Sequence, residues 1–525
     1  MGRGTVSTRL EMPRGAAPPR GRLAPIDPLL VVVALLSLVV YLLHGFDKAL
    51  GRDLGVYAYG GQRFLEGDPP YVGILNRAGP LAHALPGVGI WLGRLVGVAD
   101  VHGARGFFML IAVLCVCLVY VVTRDLTRSR AAAVVAATAF LGFQGFLDLA
   151  TNGPREKTAM VLFLLGALLA VLHRRWTVCG ACVALGTLTW QPVFFVAVVI
   201  AVVGAVLTPE GRLQALGRMV IGGLVPTVVV VAYYAALGAV HTFLDGFVLI
   251  NAQYTVQPSP FSHTDAVWTD LGNGYGASLW VIVLGLLAVP VLGLLSLRDA
   301  WRAQERTAAT WVALGAGWVA GLGWSAIAYN AWMDLFVMLP FAALGVGGSA
   351  AWMFRRLDPR AAVGVATALA LVGTAYAMVF SVTTRGDDLH EQRASIAAVL
   401  RSGPHPATIL SLQAPEVLVL TNRVNPSPYQ MFDHGFPDYI DATYPGGLEG
   451  YLAWIQRTAP TYVVTQTRFR PRWLTPWLKE HYADVGSTPQ FRWWVSRTVK
   501  PAVRHKIRDA DRAAVPESAP DLTEP

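Results

Sequence analysis

Long apolar runs are the feature that most constrains the fold of this 525-residue chain. A helix crosses the hydrocarbon core of a membrane with about 20 apolar residues, because its backbone groups are all satisfied internally. Charged residues make up only 14% of the chain, against roughly 25% in soluble domains. The sequence therefore predicts a polytopic all-α membrane protein with apolar runs at 28–43, 106–122, 131–147, 158–172, 176–207, 219–237, 279–297, 309–328, 332–350 and 361–382.

The run 176–207 differs from the others because it is too long for one span and short for two. Trp190-Gln191-Pro192 lies in its middle. Proline lacks a backbone donor and disfavours helix at the preceding residue. We therefore expect two short helices here, which brings the total to about eleven spans.

Lys and Arg are concentrated in the connections on one side of the predicted spans. Eighteen Lys and Arg fall in the tail 1–27 and in five short connections, whereas the long connection 238–278 has none. Basic loops stay in the cytoplasm, so the N-terminus is predicted to be cytoplasmic. The net charge of +9 thus reports membrane topology, and we expect no nucleic-acid partner.

Composition divides the chain into four parts. Residues 1–27 are predicted to be a disordered cytoplasmic tail, and residues 28–382 a membrane module with outer loops 46–103, 148–157 and 238–278. Residues 383–497 are predicted to form a small extracytoplasmic α/β domain, followed by a flexible tail at 498–525. In that domain we expect strands near 407–412 and 461–464, and helices near 388–401, 447–457 and 473–483. The apolar stretch 81–98 is predicted to be an interfacial helix.

The segment after the first span carries the most chemical information. Asp53 lies just beyond the membrane exit, and an amphipathic helix and a Gly-Asp-Pro-Pro-Tyr turn ending at Tyr71 follow it. From the residues alone, Asp53 is either an interfacial carboxylate that caps a helix or a general base at the membrane surface.

This segment resembles the first outer loop of the GT-C superfamily of membrane glycosyltransferases. It is most similar to the family 39-like branch that includes protein mannosyltransferases and the lipid A aminoarabinose transferase. The matching positions are Asp53, Tyr57, Gly61-Gln62-Arg63, Leu65, Gly67, Pro70, Tyr71 and Gly79-Pro80. The chain departs from the pattern at Ala78 and Trp190, where that family commonly has lysine.

The resemblance implies a GT-C fold and an inverting sugar transfer from a polyprenyl phosphate at the plasma membrane. The acceptor would be an extracytoplasmic glycan, lipid or protein. Asp53 takes the role of general base, and a second acid comes from the second outer loop, where Glu156 is favoured over Asp148. Phosphate needs cationic partners, for which the candidates are Arg52, Arg63, Arg77, Arg155 and Lys157.

Further polar residues are candidates for contacts with the sugar or the acceptor: Tyr57, Asp148, Asp334 and His263. Asp433-His434 in the outer domain either binds a glycan acceptor or packs in a core. No metal site or cofactor is indicated, although a divalent metal ion is compatible with such chemistry. Two alternatives stay open, namely a catalytically inactive GT-C-like scaffold and a lipid or solute transporter.

Overall fold

The computed structural model describes residues 27–208, 211–255, 264–302 and 305–515. The predicted N-terminal tail, apart from residue 27, and the candidate His263 lie outside these residues. The helices of the membrane module are α1 Pro28–His44, α2 Arg52–Leu65, α3 Leu81–Leu95, α4 Asp100–Thr127, α5 Arg130–Leu141, α6 Gln144–Asn152, α7 Glu156–Leu172, α8 Trp176–Thr189, α9 Val193–Val206, α10 Arg212–Ala236, α11 Val240–Leu244, α12 Thr264–Tyr275, α13 Ser278–Arg302, α14 Arg306–Ile327, α15 Leu339–Phe354 and α16 Pro359–Thr383. A π-helix spans Asp245–Tyr254, and a 3₁₀ helix spans Trp332–Met338.

Helices occupy every predicted apolar run, so the all-α membrane architecture is confirmed. Six helical segments of the described ranges are long and apolar enough to cross a membrane: α4, α10, α13, α14, Trp332–Phe354 and α16. The bent pair α5–α6 becomes a seventh if it is counted as one span, while α1, α8 and α9 are shorter. The chain is thus a multi-pass membrane protein, and the count of eleven spans remains a prediction.

The break predicted in the run 176–207 is present. Helix α8 ends at Thr189 and α9 begins at Val193, directly after Pro192. Trp190 has an extended backbone, as expected for a residue close before a proline turn. This turn brings Trp190 and Gln191 to the wall of a central cavity.

The C-terminal part is the predicted α/β unit. Its elements are α17 Leu389–Ser402, β1 Ile409–Leu412, α18 Pro415–Thr421, α19 Phe436–Thr443, α20 Gly447–Thr458, β2 Tyr462–Gln466, α21 Thr475–His481, β3 Tyr482–Ser487, β4 Phe491–Ser496 and α22 Pro501–Ala514. The strands are ordered β1-β2-β4-β3, with β1 parallel to β2 and the other pairs antiparallel. Both predicted strands are confirmed, whereas β3 and β4 were not anticipated.

The last part of the chain corrects one expectation. Residues 498–525 were predicted to be a flexible tail, but Pro501–Ala514 form helix α22. Ile507 is fully buried, and Asp511 accepts a hydrogen bond of 2.5 Å from the Ser395 hydroxyl on α17. Apolar residues at helical spacing, Val503 and Ile507, give α22 one face that requires a packing partner, which overrides its charged composition.

Helix α2 joins the outer loop to the C-terminal domain. Val56 and Tyr59 share one apolar core with Leu410 and Val417. The Asn425 backbone N–H donates to the Tyr59 hydroxyl at 3.0 Å. The start of α2, where Asp53 lies, is therefore positioned by the membrane module on one side and by the C-terminal domain on the other.

Candidate active site

A cavity of about 980 Å³ lies where the connections 46–103 and 148–157 of the membrane module meet the C-terminal domain. Its polar wall is formed by the start of α2, residues 76–78, the start of α7 and residues 431–436. The rest of the lining comes from the α8–α9 turn, the π-helix and the end of α14. Ten of the eleven predicted candidates belong to the described residues, and eight of these line the cavity: Arg52, Asp53, Tyr57, Arg77, Arg155, Glu156, Lys157 and Asp334.

One buried arginine holds the two segments that carry the polar wall. Arg105 on α4 donates through Nη1 to the carbonyl oxygens of Phe46 and Lys48, at 2.5 and 2.9 Å. Its Nε donates to the Gly153 carbonyl oxygen at 3.3 Å, just before Arg155. Sequence reasoning missed Arg105, although an arginine at the edge of a strongly apolar run is a signal for such a role.

Asp53 lies in the first turn of α2 and is held by two arginines. Arg52 donates through Nε and Nη2 to Oδ1, at 2.9 and 2.7 Å. Arg155 donates through Nη1 to Oδ2 at 2.8 Å. Burial disfavours the carboxylate anion, but Arg155 and Arg52 outweigh this effect and hold the pKa of Asp53 well below its usual range. Both oxygens of the carboxylate are thus engaged by cations.

Glu156, the other acid at this end of the cavity, is joined to Asp53 by Arg155. The Arg155 Nε lies 3.1 Å from the Glu156 Oε2. The Arg155 guanidinium also lies over the Tyr57 ring, 5.9 Å from its centroid. Arg155 is therefore the shared cation of two carboxylates, and it presents a planar fork of donors suited to an anionic ligand.

A second ion pair lies on the side of the cavity formed by the membrane module. Lys157 Nζ contacts Asp334 Oδ1, and the other oxygen, Oδ2, accepts from the Asn330 backbone N–H at 2.7 Å. The Lys157 ammonium also lies 5.3 Å from the centroid of the Trp190 ring. The aromatic residue that departs from the family pattern thus contacts a lysine supplied by α7.

Two predicted candidates have other partners and do not line the cavity. Arg63 is buried, and its Nη2 lies 2.6 Å from Glu66 Oε2. Asp148 lies 2.5 Å from Lys48 Nζ and 3.1 Å from His44 Nε2. The structure thus does not bring these two residues together with the other candidates: their side chains complete ion pairs with neighbouring residues away from the cavity, and their assignment to the site stays a prediction.

The C-terminal domain contributes residues whose role the sequence left open. Asp433 and His434 line the cavity, and the Asp433 Oδ2 lies 2.5 Å from Arg52 Nη1. Behind them Glu416 is fully buried at the start of α18, and burial raises its pKa to about 8. Sequence reasoning missed Glu416, since its contact with α2 depends on the packing of the two domains.

Part of the cavity lining is apolar. Phe195 stacks on Trp324 with ring centroids 5.8 Å apart, and Phe194 and Ile327 extend this surface. The Ile327 side chain is 69% exposed, as expected for a surface that faces lipid in a membrane. The cavity therefore combines a cationic end with an apolar side, which suits an amphiphilic anion.

No group of three or more His, Cys, Asp or Glu in the described ranges is arranged to hold a metal ion. The cationic side chains that line the cavity among the described residues are arginines and a lysine, beside the titratable His434. Such side chains can neutralise an anionic leaving group, and a neighbouring carboxylate can accept a proton.

The comparisons with known proteins identify the fold. The sequence matches no protein-family model and no curated protein. The crystal structure of ArnT from Cupriavidus metallidurans in the apo state matches with a TM-score of 0.60 and 16% identity, over 90% of this chain and 99% of that one. This chain has the ArnT fold. The structure of the same ArnT bound to undecaprenyl phosphate matches with a TM-score of 0.58 and 16% identity, over 91% and 100% of the two chains. Both matches extend over nine-tenths or more of each chain, so the likeness covers the membrane module and the C-terminal domain together.

Proposed function

We propose that this protein is a membrane glycosyltransferase that takes a sugar from a polyprenyl-phosphate donor and transfers it to an extracytoplasmic acceptor with inversion. The observation that carries the proposal is the cavity in which Arg155 holds Asp53 and Glu156 beside an apolar wall. Undecaprenyl phosphate in the ArnT structure supports a polyprenyl phosphate as the ligand of this cavity.

The phosphate is proposed to bind at the cationic end of the cavity. Arg155 and Arg77 line it, together with Lys157. A guanidinium presents parallel N–H donors that match two phosphate oxygens, so arginine fits this anion better than a point charge does. The prenyl chain is assigned to the apolar side formed by Phe194, Phe195 and Trp324.

Phosphate binding explains how Asp53 becomes an effective base. With both oxygens held by arginines, Asp53 is a weak proton acceptor. A donor phosphate competes for Arg155 and leaves Oδ2 free, because one guanidinium cannot serve both anions at full strength. The removal of this cation raises the pKa of Asp53 toward its ordinary value, so the base is activated when donor is present.

The proposed transfer is a displacement at the anomeric carbon of the donor sugar. The acceptor hydroxyl oxygen forms a bond with the anomeric carbon from the face opposite the phosphate. The bond between that carbon and the phosphate oxygen breaks, and polyprenyl phosphate leaves with the electron pair. The hydroxyl proton passes to Asp53, and the cations at Arg155 and Arg77 stabilise the charge that grows on the leaving group.

The orientation proposed for this enzyme places α17 and the following domain outside the cytoplasm. A single cysteine introduced in the turn 386–390, which leads into α17, tests it in intact cells. An impermeant thiol reagent is expected to label this cysteine without lysis, while the native cysteines lie within α4 and α8. Labelling only after lysis would contradict the orientation.

The activity is tested with purified protein in nanodiscs and a panel of radiolabelled undecaprenyl-phosphate sugars. Washed envelope fractions serve as the acceptor source, and release of undecaprenyl phosphate is measured. The parent protein is expected to consume at least one donor, whereas heat-treated protein consumes none. If no donor in the panel is consumed, the proposed transfer is wrong and the inactive scaffold is the better reading.

A further inference from the structure

The His434 side chain lines the cavity and can titrate and form hydrogen bonds, but the proposed transfer step does not use it. It lies in the C-terminal domain, next to Asp433, and its side chain is 40% exposed. Among the described residues its ring makes no hydrogen bond, and the nearest carboxylate oxygen, Asp433 Oδ2, is 3.8 Å from Nε2. The imidazole is therefore available to a ligand in the cavity.

The backbone around His434 is held in an unusual conformation. His434 has φ of 46° and Gly435 has φ of 89°, so two consecutive residues occupy the left-handed region. This conformation is costly for a residue with a side chain and persists where the surroundings enforce it, often at functional sites. A Cβ atom at Gly435 would collide with the Tyr254 carbonyl oxygen, which shows how closely the π-helix end packs against this turn.

A chain of contacts fixes the position of His434 relative to the cationic end. The Thr255 hydroxyl lies 3.3 Å from the His434 carbonyl oxygen and also accepts from Arg77 Nη1 at 3.3 Å. On the other side, Asp433 contacts Arg52, which in turn holds Asp53. The backbone at His434 is thus linked through Thr255 to Arg77, and through Asp433 and Arg52 to Asp53.

The charges that face the ring leave it neutral at physiological pH. Burial lowers the pKa of His434 below its ordinary value, and Arg77 and Arg52 act in the same direction. Asp433 and Asp53 oppose this shift. A neutral imidazole has one nitrogen that accepts a hydrogen bond and one that donates.

We propose that His434 is a further catalytic residue of the transfer, which accepts a hydrogen bond from a second hydroxyl of the acceptor, beside the attacking one, and so orients the attacking oxygen toward the donor. The proton of the attacking hydroxyl passes to Asp53, so no additional reactant is needed. This inference rests on the proposed function. It assigns acceptor recognition to the C-terminal domain and donor recognition to the outer loops of the membrane module.

The test is the pH dependence of sugar transfer by His434→Asn, with the consumed radiolabelled donor and envelope acceptor of the panel assay. Asparagine tolerates the left-handed conformation and hydrogen bonds, but it does not titrate. We expect the rate at neutral pH to fall by roughly 10- to 100-fold, because a misplaced nucleophile loses much of its reactivity. The rate of the parent is expected to fall as pH drops through the pKa of His434, below about 6.5. This fall in rate at acidic pH, the acid limb of the pH profile, should be absent from the variant.

Two matched variants complete the experiment. Asp433→Asn removes a charge that raises the pKa of His434, so its acid limb should move to lower pH. His390→Asn changes an exposed histidine on α17 and should leave the rate and the limb unchanged. An active parent whose acid limb survives in His434→Asn overturns the inference alone, even if the rate falls, since a structural role would produce that result. A parent inactive with every donor counts against both this inference and the proposed function.

Discussion

Asp53 and Asp334 are two carboxylates on the wall of one cavity, and their surroundings differ in kind. Asp53 is 36% exposed to the cavity, and its partners are two arginine side chains. Asp334 is only 6% exposed, contacts Lys157, and accepts from the Asn330 backbone N–H at the start of a 3₁₀ helix. Asp53 therefore has partners that an anionic ligand can take over, whereas Asp334 is bound to the backbone of its own segment.

These surroundings suit Asp53 to a role in the reaction and Asp334 to a role in stabilising the fold. A carboxylate held only by mobile cationic side chains can change its pKa when a ligand competes for them. A buried ion pair whose carboxylate also accepts a backbone hydrogen bond is not opened by a competing ligand. Removal of one partner leaves the charge of the other partner unpaired. We therefore expect substitutions at the two positions to affect different measurements.

The largest effect is expected for Asp53→Asn. Asparagine retains the size of the side chain but does not accept a proton at neutral pH, and general-base assistance is worth roughly 10²- to 10⁴-fold. Turnover of the consumed donor should fall by about this factor, while thermal stability remains close to that of the parent. Undecaprenyl phosphate should bind at least as tightly, because it no longer competes with a carboxylate for Arg155. Reduced stability with near-normal turnover would give Asp53 the structural role and remove the contrast with Asp334.

The next effect is expected for Arg155→Lys. Lysine keeps the charge but cannot offer a fork to the phosphate or bridge Asp53 and Glu156, so donor affinity and turnover should both fall, by roughly 10- to 100-fold in turnover. Donor titrations in nanodiscs measure both quantities. Arg124→Lys, on α4 and away from the cavity, serves as the matched control. Unchanged donor affinity in Arg155→Lys would exclude it as a phosphate ligand.

A smaller effect on turnover and a clear effect on stability are expected for Asp334→Asn. Loss of one partner of a buried pair costs about 3–5 kcal/mol when the other charge is left uncompensated, and Lys157 keeps only the Glu156 carboxylate, whose Oε1 lies 3.9 Å from its Nζ. Thermal unfolding in detergent should therefore begin at a lower temperature, while the remaining folded protein turns over donor within about tenfold of the parent. If Asp334→Asn instead lowers turnover by roughly 10²- to 10⁴-fold and leaves thermal stability unchanged, the two carboxylates share one role.

The smallest effect concerns Glu416, a third carboxylate that lacks a hydrogen-bond partner for either oxygen among the described residues. Burial raises its pKa from 4.5 to about 8, so the folded state favours the protonated acid. This contribution to stability is complete below pH 4.5 and is lost as pH rises toward 8. Glu416→Gln should raise the unfolding temperature at pH 9 by about 2–5 °C and leave it unchanged at pH 4.5. Equal unfolding temperatures at both pH values would contradict the assigned protonation.

The membrane architecture could be predicted from the sequence because it depends on local composition. Apolar runs define helices by themselves, and Pro192 marks the break between α8 and α9 without reference to the rest of the fold. Asp53 was also accessible, since the spacing of residues after the first span resembles a known family. These features belong to single continuous segments.

The rest of the site depends on contacts between segments that are distant in the chain. The pairing of Asp433 with Arg52 follows from how the C-terminal domain packs on α2, and no local pattern encodes that orientation. Arg63 and Asp148 were selected for their charge, but charge alone does not reveal which neighbour a side chain meets. Helix α22 was missed because its polar composition obscured an apolar face of only a few residues.

The central claim is that a lipid phosphate binds in this cavity and takes Arg155 from Asp53. A cryo-electron microscopy map of the protein in nanodiscs with saturating undecaprenyl phosphate tests it most directly. We expect phosphate density against the Arg155 guanidinium, an Asp53 Oδ2 that no longer contacts Arg155, and prenyl density along Phe195 and Trp324. Phosphate density elsewhere, or an empty cavity in which Arg155 and Asp53 remain 2.8 Å apart, would contradict the account.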